Sequence, residues 1–297
     1  MLKNKRLFLF GLFLCLSVTF SGCKSQFEKL LASNATAKKY QEGLRLYNKK
    51  SYSKALILFN DLLERYRGTD EAQDLAYYFA YTNYHLLDYT TARYQFKLFA
   101  DTYPNSDKAE ECRYMGAYCY YLESPKYSLD QGNTLKAIES LQLFINLYPK
   151  SDRVAEASRL IDDLRDKLET KAFLNAKLYL DIASNDITYY RSAAIAFKNA
   201  LRDYPDIQYA EEMEFLTIKA QYLYAKNSFE TKQEERFNEA IILYDEFKSH
   251  YPESKFLTEA EVYKKDAEQS IIEVRELLTA GQTSQKIKQN PEEQINK

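Results

Sequence analysis

The chain has 297 residues, 45% of them apolar, which is long enough and apolar enough to bury a sizeable core. Its 7 Gly and 6 Pro, with helical apolar periodicity almost throughout, leave little room for sheet. A formal charge of -2 without a basic stripe excludes nucleic acid as a partner class, and the aromatic content is peculiar: 27 Tyr and 17 Phe with no Trp.

Residues 1–22 read as an address. Lys3, Lys5 and Arg6 form a basic start, and residues 7–18 form an apolar stretch shorter than a typical membrane span. The stretch ends in Phe20-Ser21-Gly22-Cys23, which resembles a bacterial lipoprotein box, with Phe20 in place of the usual Leu. The other reading is an ordinary signal peptide with an incidental cysteine. Lipoprotein processing would remove three basic residues, taking the charge from -2 to about -5, and would leave Cys23 tri-acylated. At about 0.8 kcal/mol per buried methylene, three chains anchor the protein without spanning the bilayer. Lys24 is not the Asp that, in enteric lipoproteins, marks retention at the inner membrane. Residues 23–34 are expected to be a polar, lipid-anchored linker.

Beyond the linker, one pattern recurs. Ala92/Phe96/Pro104, Ala137/Leu141/Pro149, Ala193/Phe197/Pro205 and Ala240/Tyr244/Pro252 share their spacing, and a Tyr precedes each proline. A fifth copy, Ala55/Phe59, ends at Tyr66-Arg67 and lacks only the proline. An alanine and a bulky residue four apart share a helix face, where the alanine admits a neighbouring helix and the larger side chain fills the groove beside it. Tyr-Pro is a helix stop. Ser106-Asp107, Ser151-Asp152, Ser254 and Thr69-Asp70 follow as candidate N-caps. A second helix precedes each marker, and Tyr40, Gly43, Tyr47, Tyr52, Ala55 and Phe59 recur at an offset of 37 as Tyr77, Ala80, Tyr84, Tyr89, Ala92 and Phe96. Tyr114, Ala117 and Tyr121 continue the offset before an eight-residue insertion.

This resembles the tetratricopeptide repeat and predicts an all-α solenoid of about five helix-turn-helix repeats. Repeats one to three occupy residues 35–150. The third carries a long loop, residues 123–134, with Pro125 and Gly132. Residues 152–182 contain neither Gly nor Pro and read as one long helix of roughly 45 Å, a strut between repeats three and four. Residues 151–281 hold this helix, repeats four and five, and a capping helix expected to end at Gly281; residues 282–297 are expected to be a disordered tail. Cys112 and Cys119, seven apart on one helix, are too distant for a disulfide and read as small core residues.

No phosphate loop, zinc motif or serine nucleophile is present in the sequence, so the chain is expected to be non-enzymatic, with no cofactor and no metal. In the tetratricopeptide register the first helix of each repeat lines a concave groove. The inward positions are Tyr40, Leu44 and Tyr47; Tyr77, Tyr81 and Tyr84; Tyr114, Tyr118 and Tyr121. Tyrosine offers a flat apolar face and a polar tip, suited to an extended peptide whose backbone the hydroxyls can reach. A register shifted by one position would instead pack these rings between repeats.

Lipobox, five repeats, enlarged third repeat, long helix and the string Leu201-Arg202-Asp203-Tyr204-Pro205-Asp206 together resemble the BamD-type outer-membrane assembly lipoproteins, over nearly the whole chain from Cys23 to Leu278. The resemblance implies an outer-membrane location on the periplasmic face, with membrane contact only through the lipid on Cys23. It further implies docking of a BamA-like barrel insertase on the C-terminal repeats. The N-terminal repeats would receive C-terminal segments of unfolded outer-membrane proteins. The alternatives are a repeat lipoprotein that scaffolds a cell-wall or envelope-constriction complex, or a glycan-binding uptake lipoprotein.

Overall fold

The computed structural model describes residues 25–289, with side chains to residue 280. The leader, Cys23 and residues 290–297 lie outside the described residues. All regular structure among the described residues is helical: α1 (Gln26–Leu31), α2 (Thr36–Asn48), α3 (Tyr52–Leu62), α4 (Glu71–His85), α5 (Tyr89–Thr102), α6 (Ala109–Leu122), α7 (Gly132–Leu147), α8 (Val154–Ile182), α9 (Thr188–Asp203), α10 (Ala210–Lys226), α11 (Glu230–His250) and α12 (Leu257–Gln289). In the first unit the successive helices from α2 through α6 pack on one another, and in the second those from α9 through α12 do the same, in the manner of a repeat solenoid.

The Tyr-Pro stops act where the sequence places them. Helices α5, α7, α9 and α11 each end one residue before the tyrosine. Tyr103, Tyr204 and Tyr251 have left helical geometry, with ψ of 60°, 76° and 68°, because the following proline ring crowds the α region. Each tyrosine carbonyl then accepts from the amide three residues on, whose own carbonyl accepts from the amide three further, at 2.9–3.2 Å in all five repeats. The copy without proline makes the same turn, with Gly68 at φ 83° in the third position, where a type II turn demands a left-handed residue.

The capping serines do something other than expected. Ser106, Ser151 and Ser254 accept from the amides of Lys108, Arg153 and Phe256 at 3.0–3.2 Å, two residues on and inside the turn, so they fix the connection rather than cap the helix. Asp70 holds the N-cap position of α4 but makes no side-chain cap bond. Two further turns escaped the sequence reading: Lys50 and Leu87, 37 residues apart, sit at φ 58° and 63°. Ser51 and Asp88 then donate to the carbonyls of Leu46 and Asn83, a Schellman closure of α2 and α4.

The marker residues form the core. Ala55, Phe59, Ala92, Phe96, Ala137, Leu141, Ala193, Phe197, Ala240 and Tyr244 are all buried. The chain divides into two compact units: residues up to 124 with 133–160, and residues 125–132 with 161 onward. In the first, α2–α4 close around Leu58, Phe59, Leu62, Leu75 and Phe79. Lys39 is 1% exposed there and reaches Asp61 at 2.6 Å across α2 and α3. In the second, Phe173 stacks on Tyr209 at 4.4 Å and Phe215 on Phe256 at 4.8 Å.

The long helix is one 29-residue element, and the boundary between units falls inside it. The expected polar linker contains α1, started by a capping box in which Ser25 and Glu28 exchange hydrogen bonds. The last helix does not stop at Gly281 but continues to Gln289, since a glycine costs a helix only about 1 kcal/mol. The 123–134 segment is organised by Gln131, whose buried amide donates to the carbonyls of Lys126, Tyr127 and Leu129. Cys112 and Cys119 are buried free thiols, and burial pushes both up to about 12.

Candidate functional site

The nine residues of the predicted groove lie on α2, α4 and α6 of the first unit. They do not share one environment. Tyr40 and Tyr114 are interior, at 9% and 2% exposure, where Tyr40 meets Tyr66 at 5.8 Å and Tyr114 meets Phe144 at 5.4 Å. Leu44 packs against the first-repeat core. Tyr47, Tyr77, Tyr81, Tyr84, Tyr118 and Tyr121 are half-buried, each with part of its ring at the surface.

The rings fall into two sets in contact within themselves, one on α2 and α4 and one on α6. Tyr47 meets Tyr52, Tyr78 and His85 at 5.2–5.8 Å. Tyr81 touches Tyr77 at 4.8 Å and Tyr84 at 6.2 Å, with its edge on Phe96. On α6, Tyr114, Tyr118 and Tyr121 stack at 5.9 and 5.7 Å with nearly parallel planes, because their spacing of four and three puts them on one face. Offset and edge contacts of this kind suit the ring quadrupole and hold the surface rigid.

One carboxylate joins the two helices. Tyr77 and Tyr81 donate their hydroxyls from α4 to Glu111 on α6, at 3.0 and 2.6 Å. Burial, reinforced by these hydrogen bonds, pushes both phenols well above the ordinary tyrosine value. Arg153 stands 3.9 Å from Glu111 and 4.7 Å over the Tyr114 ring, and Lys108 lies 4.9 Å over Tyr77. With their protons committed to Glu111, Tyr77 and Tyr81 offer oxygen lone pairs, so they can accept from peptide N–H groups rather than donate to carbonyls. At the other end His85 stacks on Tyr52 at 4.4 Å, and burial holds it below the ordinary imidazole value.

Sequence reasoning missed Glu111 and His85. Glu111 falls three residues before Tyr114, one helical turn away, and reads as a first-turn acid complementing the helix dipole. His85 sits beside Tyr84, outside the repeat register.

Among the described residues no group of three or more His, Cys, Asp or Glu could hold a metal ion, and no helix is long and apolar enough to cross a membrane. Paired helices with a rigid, half-buried aromatic face define the class of helical-repeat binding scaffolds. The YfiO family, described as an outer membrane lipoprotein, matches residues 33–236. The chain belongs to that family. It is similar to the outer membrane protein assembly factor BamD of Rickettsia prowazekii, 25% identical over 169 residues, covering 56% of this chain and 66% of that one. It is also similar to the protein of the same name from Caulobacter vibrioides, 22% identical over 141 residues, covering 48% and 46%. Each alignment thus spans less than two thirds of the relative's length.

Proposed function

We propose that the chain is a non-catalytic scaffold and receptor in outer-membrane β-barrel protein assembly. It is held by a lipid on Cys23 at the periplasmic face of the outer membrane. The aromatic face of α2, α4 and α6 receives the C-terminal segment of an unfolded barrel protein, and the C-terminal repeats dock a BamA-like insertase. The observation that carries the client assignment is the run of half-buried tyrosines with two hydroxyl oxygens turned into acceptors by Glu111. An extended peptide ending in an aromatic residue finds there both ring surface and partners for its amides. Family membership and the two BamD relatives support the assembly role.

Affinity purification of the tagged chain from detergent-solubilised membranes tests this reading. Co-isolation of a barrel insertase is the expected result. Recovery of cell-wall or sugar-uptake proteins in its place would overturn it.

A further inference from the structure

A second recess opens in the first unit, on a different side of α6 from the stacked tyrosines. Arg113, Gly116, Ala117 and Tyr120 form its α6 side, roughly a third of a turn around the helix from Tyr114, Tyr118 and Tyr121. Helices α5 and α7 supply the flanks, and the cleft holds about 540 Å³. Gly116 lies on the floor, where a Cβ would stand at ordinary contact distance, 3.6 Å from the Arg93 carbonyl, so α5 and α6 pack closely under the cleft.

The charge in the cleft is incompletely balanced. Lys97 and Arg113 share Asp101, at 2.7 and 2.8 Å, and these contacts hold that carboxyl below its usual range. Arg93 pairs with Glu123, which also accepts from Thr90, and stacks 4.4 Å over the Tyr120 ring. Three cations therefore face two carboxylates. The buried Nε of Arg113 has no hydrogen-bond partner, so the existing ion pairs leave part of that guanidinium unsatisfied. Around this single surplus charge stand apolar surfaces: the Tyr120 ring, Tyr94 at 62% exposure and Leu143 at 47%.

We infer that this cleft binds a short acidic peptide segment, seating one carboxylate against Lys97 and Arg113 and a neighbouring apolar side chain between Tyr94 and Leu143. One surplus positive charge matches a carboxylate monoanion better than a phosphate dianion. The exposed ring and leucine give the adjacent side chain a surface that a free inorganic anion would not use. The chain is negative overall, so the attraction is local to the cleft. The inference is independent of the client proposed for the tyrosine face, since none of the stacked tyrosines lines the cleft.

The test is fluorescence polarisation of the full-length chain in detergent. The probe is a labelled eight-residue peptide carrying one Glu beside one Phe in a Gly-Ser background. Saturable binding is expected, weakened about tenfold when Glu becomes Gln or Phe becomes Ala. Lys97→Met, which leaves Asp101 paired with Arg113, should weaken binding about threefold to fivefold. Leu143→Glu places a competing carboxylate at an exposed rim position and should abolish binding without unfolding the chain. Tyr84→Ala should leave it unchanged. Absence of saturable binding, equal affinity for the Gln peptide, or displacement by inorganic phosphate at concentrations below the peptide's own dissociation constant would each overturn the assignment. A loss caused by Tyr84→Ala would move the site to the tyrosine face.

Discussion

Glu111 gives the sharpest energetic test of the tyrosine face. It accepts from Tyr77 at 3.0 Å and Tyr81 at 2.6 Å, bridging α4 and α6 and hence the second and third repeats. Hydrogen bonds to a charged group contribute about 1.5–3 kcal/mol each. Both phenols are half-buried and can recover some water, so the lower end applies, and Glu111→Ala should cost about 3 kcal/mol. The Arg153 contact at 3.9 Å is partly exposed and adds little. Tyr81→Phe removes the shorter bond alone and should cost about 1.5 kcal/mol. In the double variant that cost is not paid twice, so the cycle should return a coupling of about 1.5 kcal/mol. Urea titration followed by circular dichroism at 222 nm reads all four corners. A coupling below about 0.5 kcal/mol would refute the claim that this carboxylate clamps the two helices.

The Lys39–Asp61 pair should respond asymmetrically. Asp61→Ala strands a lysine that is 1% exposed and should cost about 3–5 kcal/mol, whereas Lys39→Met leaves a partly solvated Asp61 that still has Arg65 at 3.7 Å and should cost under about 1 kcal/mol. Equal losses in urea titration would contradict this. Leu87→Gly should stabilise by about 0.5–1 kcal/mol, because Leu87 is 70% exposed at φ 63° and glycine relieves more strain there than it adds in unfolded-chain entropy. A fall in melting temperature would refute it. At alkaline pH, burial first of all pushes Tyr40 and Tyr47 from 10.0 up to about 12, and Cys112 and Cys119 from 9.0 up to about 12. The folded chain keeps protons that the unfolded chain releases. This stability is therefore complete below about pH 9 and is lost as pH rises towards 12. Thermal melts across that window should fall steadily; a flat profile to pH 12 would show that these groups ionise equally in both states.

Much of the architecture was legible because it rests on local rules. Ala-x-x-x-Phe places a small and a large residue on one helix face, so the five marker helices could be read directly. Tyr-Pro excludes helical geometry at the tyrosine and gave the ends of four of them, whereas α3, without the proline, ends at Leu62, four residues before Tyr66. The left-handed turns at Lys50 and Leu87 were not legible, since neither carries the glycine that normally advertises them. Nor was the helix in the linker, where a capping box on six residues outweighs polar composition. The tyrosine face was legible as a set of positions but not as environments. Helical periodicity gives a residue's angle around its own helix and does not give the depth of the neighbour it meets. Tyr114 is buried by Phe144 and Arg153, and Tyr40 by Tyr66, all contacts from other segments. Glu111 was hidden for the same reason: its partners lie 30 and 34 residues away.

In the proposed function, the half-buried tyrosines of the first unit hold the C-terminal segment of a barrel protein. The direct measurement is the affinity of the full-length chain for a labelled peptide copying the last ten residues of a barrel protein and ending in Phe. Tyr84→Ala with Tyr118→Ser changes two surface-reaching rings without touching the Glu111 clamp, and should weaken binding about tenfold or more while the melting temperature holds within a few degrees. Removing the terminal Phe from the peptide should have a similar effect. Unchanged affinity in the folded double variant would contradict the claim.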